Sequence, residues 1–181
     1  MNFENNLEKG MSKMNFEKYI TQAKEMGAKN AVSFNISDIV FDPRVILKCI
    51  FGCADYGKSH TCPNQRSPLT MEQYKDVFSY YTGGIIIGSN EKKASQHISY
   101  EIERACFLDG FHFAFSLSDC ALCKECSKVQ DKACRLPAKA RPAFHSVGID
   151  VFKTVNQLKL PLSVAKTIDD EVNWYSAVFI E

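Results

Sequence analysis

Cysteine spacing constrains this chain more than anything else in it: Cys120-x2-Cys123-x2-Cys126, followed after seven residues by Cys134. Two-residue gaps let a tight turn aim successive thiolates at one place. The intervening amides can donate hydrogen bonds to whatever those thiolates hold. From 119 to 141 the stretch carries six Lys or Arg (Lys124, Lys128, Lys132, Arg135, Lys139, Arg141) against three acids (Asp119, Glu125, Asp131). That excess suits a site whose thiolates leave net negative charge, and a solvated basic loop has the same composition. A metal bound by such a loop contributes directly to its folding.

A second group is Cys49-x3-Cys53-x8-Cys62-Pro63. Cys49 and Cys53 share a face if residues 44–53 are helical. Three cysteines are one short of a closed site, and His60, Cys134 or a group from outside the protein are the choices for the fourth ligand. The alternative, three buried thiols that only fill space, fits poorly with a loop containing Gly and Pro. Cys106 differs from the rest, falling on the apolar stripe of a helix and reading as core filler. His97 and His112 occupy ordinary surface or strand positions, and His145 lacks a ligand's spacing.

The run from Cys120 resembles that of bacterial ferredoxins, whose thiolates hold 4Fe–4S clusters, and Cys62-Pro63 is similar to the Cys-Pro that closes it. Two departures stand out: the last gap is seven residues instead of three, and Arg135 follows Cys134 where Pro is usual. Structural zinc sites also use thiolate pairs two residues apart, normally as two pairs flanking a longer loop. One or two iron–sulfur clusters are therefore the leading expectation, with zinc as the alternative. The spacing of a radical S-adenosylmethionine site is absent, since Tyr56 stands where a cysteine would be needed. Phosphate loops, nucleophile elbows and zinc-protease helices are absent too.

In a secreted chain eight cysteines would read as disulfides. The start Met1-Asn2-Phe3-Glu4 lacks the basic and apolar parts of a signal peptide, so a cytoplasmic setting is expected. No apolar run approaches the roughly 18 residues of a membrane span. A formal net charge of +1 gives no general attraction to nucleic acid or anionic lipid. Neither membrane nor nucleic acid is an expected partner, and the oligomeric state is left open.

Residues 1–13 read as a flexible tail and 14–181 as a single metal-binding domain. Periodicity predicts helices over 15–26 and 91–109, and a capping box of Thr70 and Gln73 opens another. Strands are predicted around 32–36, 84–88 and 175–180, and alternation from Phe111 to Leu117 gives the clearest one. Pro142 and Asp150 open two short helices. The fold class is α/β or α+β, a single sheet with packed helices and the cysteine-rich loops at one end.

Three ordered motifs carry a family resemblance: Lys48-Cys49-x3-Cys53-x2-Tyr56-Gly57-x4-Cys62-Pro63, then Cys120 through Arg135-x-Pro137-x3-Arg141-Pro142, then Gly148-Ile149-Asp150-Val151. Over residues of about 40 to 180 the chain resembles the prokaryotic predicted metal-binding proteins, domain-of-unknown-function family 2284. The resemblance implies a cysteine-rich metal-binding domain with Cys49, Cys53, Cys62, Cys120, Cys123, Cys126 and Cys134 as ligands, and it implies no reaction. The chain departs from the family at Asn64, in place of a second proline, and at Val147, in place of a cysteine.

The function expected is electron transfer to a redox partner protein, or a small reductive step on a small molecule. A zinc-stabilised binding module is the alternative, as is an enzyme using an open iron at Cys49, Cys53 and Cys62 as a Lewis acid. A substrate-sized pocket beside that second group would favour the last. The two cysteine groups are expected to meet, because one is a ligand short and the other irregular. Parallel strands leading into both loops would bring them to one end of the sheet.

Overall fold

The computed structural model describes residues 16–63, 65, 69–162, 164, 166–167 and 170–181. The tail expected at 1–13 and the departure at Asn64 lie outside them. Four strands, β1 (Asn30–Asn35), β2 (Gly83–Ser89), β3 (Phe115–Leu117) and β4 (Trp174–Ile180), form one sheet in the order β1-β2-β4-β3. Every neighbouring pair is antiparallel. Helices α1 (Glu17–Glu25), α2 (Val45–Gly52), α3 (Met71–Phe78), α4 (Lys92–Leu108) and α5 (Val151–Gln157) complete an α+β architecture.

Both central strands are covered on both faces, so they are apolar at nearly every position. Ile85, Ile87, Val178 and Ile180 pack with Tyr19, Ile20 and Ala23 of α1 and Ile98, Ile102 and Cys106 of α4. The alternate residues Ile86, Tyr175, Ala177 and Phe179 pack on the opposite face with Phe34, Phe78, Phe144, Val147 and Val155. This two-residue alternation is the strand pleat expressed as burial. Gly84 lets the centre close up, since a Cβ there would lie 2.0 Å from the Val178 carbonyl oxygen.

Helix α3 begins where its sequence says. Thr70 accepts from the Gln73 N–H at 3.2 Å, and Gln73 Oε1 accepts from the Thr70 N–H at 2.8 Å. Helix α4 buries Ile98, Ile102 and Cys106, as the period requires, and also Ser95, Gln96, Ser99 and Glu103.

Two expectations are corrected. The strand predicted from Phe111 shrinks to Phe115–Leu117, because Gly110, at φ 101°, turns the chain back from α4 and residues 111–114 complete that turn. Phe113 is left 73% exposed. The short helix expected after Pro142 is present as a single 3-10 turn, Phe144–Val147. The strand pairings also make β1 and β3 antiparallel to each other, so their exits do not point the same way.

The segment after β1 crosses the sheet face by other means. Phe41 bridges Ile149, the Asp42 N–H donates to the Gly148 carbonyl at 2.9 Å, and the Asp150 N–H donates to the Val40 carbonyl at 2.8 Å. Asp42 also accepts from Arg44 and Lys153, and these bonds hold its carboxyl well below the usual carboxylate range. Gly148 adopts φ 86°, a left-handed conformation that favours glycine, with Met71 Sδ 2.9 Å from where a Cβ would sit.

Candidate metal centre

Helix α2 carries Cys49 on its inner side, where it is buried. Cys53 lies just past the helix end in extended backbone and is exposed, so the two do not share a helix face. A series of turns then leads to Cys62: the Tyr56 N–H donates to the Cys53 carbonyl, and the Cys62 N–H to that of Ser59. These turns bring the three thiols into one neighbourhood. Burial pushes the Cys49 thiol pKa up, and the nearby Cys53, Cys62 and Asp119 push it further. Asp119 immediately precedes Cys120, so the first cysteine group already touches the field of the second.

The second group surrounds a cavity of about 40 Å³ lined by Cys120, Cys123, Cys126 and Cys134 together with Ser59, His60 and Thr61. One water needs about 10–15 Å³ on this measure. Burial alone would raise the Cys126 thiol. The N–H groups of Lys128 and His60, the Ser59 hydroxyl and the Arg135 charge outweigh it and hold the thiol below its ordinary value. Donors gathered on one sulfur in this way stabilise its thiolate form. The His60 and Ser59 donors arrive from the first cysteine segment. Since the Cys62 N–H donates to the Ser59 carbonyl at 3.1 Å, the Cys62 and Cys126 sulfurs lie within about 15 Å by chain geometry.

His60 Nε2 is bonded to the Lys132 carbonyl at 2.9 Å, which leaves Nδ1 as the ring nitrogen open to a ligand role. That bond ties the two cysteine loops together. Among the described residues no three or more His, Cys, Asp or Glu side chains are already drawn in to hold a single metal ion. Four thiols around one space, with hydrogen-bond donors gathered on Cys126, are a donor set suited to a soft metal.

The loop is held at both ends by α4. Glu103 accepts from the Ser116 N–H at 2.8 Å and hydroxyl at 2.5 Å, and from Arg141 Nε at 2.8 Å. Ser116 precedes the cysteines and Arg141 follows them. The Arg141 guanidinium also stands 5.6 Å from the Tyr100 ring centroid and 5.3 Å from that of Phe115. Inside the loop, the Ala121 N–H donates to Gln96 Oε1 at 2.6 Å. Sequence reasoning missed Gln96 and Glu103. Their one signal was polarity beside an apolar stripe: Ser95, Ser99 and Glu103 recur four apart alongside Ile98, Ile102 and Cys106.

Cys106 lies apart from both groups in the core, and burial pushes its thiol up to about 12. His97 and His112 are exposed. All eight cysteines are free thiols. Among the described residues no helix is long and apolar enough to cross a membrane.

The family described as "Predicted metal-binding protein (DUF2284)" matches residues 33–180, and the chain belongs to it. The match takes in all eight cysteines, with both cysteine groups and the Glu103–Arg141 clasp. No curated protein and no solved structure matches the chain.

Proposed function

We propose that this chain is an iron–sulfur protein, with Cys120, Cys123, Cys126 and Cys134 as the ligands of a 4Fe–4S cluster. Cys49, Cys53 and Cys62 are proposed to bind a second iron-bearing group with one position left open. The observation that carries the reading is the shared cavity: four thiols surround one space, and Cys126 receives N–H groups from two segments. When bound, such a cluster supplies electron-transfer chemistry whose potential depends on hydrogen bonds to sulfur and on nearby charge.

The protein's own part is legible in its residues. His60 and Lys128 amides and the Ser59 hydroxyl stabilise thiolate charge at Cys126, and Arg135 adds a positive charge beside it. Glu103 and Gln96 fix the loop from outside, so the thiols are presented on a rigid frame. The role that follows is electron transfer to a redox partner protein, or a small reductive step, in a reducing cytoplasm. Eight free thiols support that setting.

Purification without oxygen, followed by iron, acid-labile sulfide and zinc assays and by low-temperature EPR after reduction, tests the proposal. A brown protein containing iron and sulfide in near-equal amounts is expected. A colourless one with zinc at full occupancy would overturn it in favour of a zinc-stabilised module.

A further inference from the structure

We infer that the chain binds a flat, uncharged aromatic molecule in a pocket that shares a wall with the thiol-lined cavity. The pocket measures about 400 Å³, inside the range of about 300–1,000 Å³ usual for small-molecule sites. Four rings, Tyr74, Phe78, Tyr81 and Phe115, form much of its lining, with Val77 at its edge and Val147 deeper in.

None of the described residues lining this pocket is Lys, Arg, Asp or Glu. Apart from the His60 ring and the Cys62 thiol, the described lining offers no side chain to pair with a charge, so a charged occupant would lose hydration for little return and the fitting ligand is neutral. Ring faces and edges pack best against another planar ring, which favours an aromatic occupant over a branched aliphatic one. The Thr61 and Ser146 side chains are among the lining groups and can meet one or two polar substituents. The Tyr81 hydroxyl is already occupied, donating to the Phe113 carbonyl at 2.7 Å.

His60, Thr61 and Ala140 line this pocket and the thiol-lined cavity alike. Cys62, next along the chain, faces the pocket side. An occupant is therefore separated from the cysteine cavity by a single layer of residues, which is where the substrate of a reductive step would belong. The binding inference goes beyond the metal reading and does not depend on which metal the thiols hold.

The test uses the full-length protein purified without oxygen, with 2-naphthol as probe and its fluorescence anisotropy as readout. Saturable binding at one site per chain is expected, with 2-naphthalenesulfonate, the same rings bearing a charge, at least about tenfold weaker. Val77 is 45% exposed, so Val77→Trp places an indole at the pocket mouth without rebuilding the core. That variant should weaken 2-naphthol by about tenfold or more, and its thermal melt shows whether it is folded. Should it fail to fold, Tyr74→Ala provides the second reading, with a loss of at least about threefold. Phe51→Ala, in a separate open groove, should stay within about twofold of the parent. Absence of saturable binding, equal affinity for the sulfonate, or unchanged affinity in folded Val77→Trp would overturn the inference. Metal content is assayed separately on the same sample, so failure of the metal reading and failure of this one are different results.

Discussion

Arg141 donates to Glu103 through both Nε and Nη2, and the two side chains are only 14% and 11% exposed. The pair joins the middle of α4 to the far end of the cysteine loop, and Ser116 joins the near end to the same carboxylate. Removing the carboxylate leaves a guanidinium and a backbone N–H without their partner. Glu103→Ala should therefore cost about 3–5 kcal/mol in urea unfolding. A loss below about 1 kcal/mol would show that the clasp is not a structural tie.

The thiols themselves are tested by metal stoichiometry. Cys123→Ser should empty the site at 120–134 and loosen that loop, because binding free energy there is part of folding free energy. Full iron or zinc retention in this variant would remove Cys123 from the ligand set.

Cys106 offers the opposite expectation. Cys106→Ala should leave metal content unchanged and cost roughly 1 kcal/mol for a small cavity. The thiol is held at about 12 in the folded chain against an ordinary 9.0, with burial as the main cause. A raised value means that the folded state keeps the proton more tightly. Its contribution is complete below about pH 9 and disappears as pH rises towards about 12. Unfolding free energy measured from pH 9 to 12 should fall more steeply in the parent than in Cys106→Ala. Parallel curves would show that the buried thiol does not titrate there.

Gly148 takes a left-handed backbone where the 3-10 turn ends, and its own carbonyl is one of the anchors of the crossing segment. Gly148→Ala should cost about 1–2 kcal/mol from backbone strain, and crowding against Met71 adds to it. Thermal unfolding would register this as a lowered midpoint, and an unchanged midpoint would mean that the turn relaxes freely.

What could be read from sequence follows the range over which each signal acts. The capping box at Thr70 and Gln73 and the stripe of Ile98, Ile102 and Cys106 are local patterns, and the structure contains both. Alternation from Phe111 to Leu117 is local as well, but the turn demanded by Gly110 overrides its first half. Glu103 and Gln96 were not legible as loop anchors, because their partners lie at Arg141 and Ala121, far beyond any periodic window. The expectation that the two cysteine groups lie together agrees with the geometry, while its premise of parallel strands does not. Contacts at Phe41, Asp42 and Asp150 carry the first group across instead, and no strand pattern encodes them.

Strand β4 is the last element in chain order and yet sits inside the sheet, between β2 and β3. A ribosome therefore makes every cysteine of both groups before the strand that closes the core. At about 5–20 residues per second, the interval between Cys134 and Ile180 lasts about 2–9 s. Through that time the sheet lacks the strand that fills its interior. A metal bound before β4 is in place would meet these thiols on a frame that the finished sheet has not yet fixed.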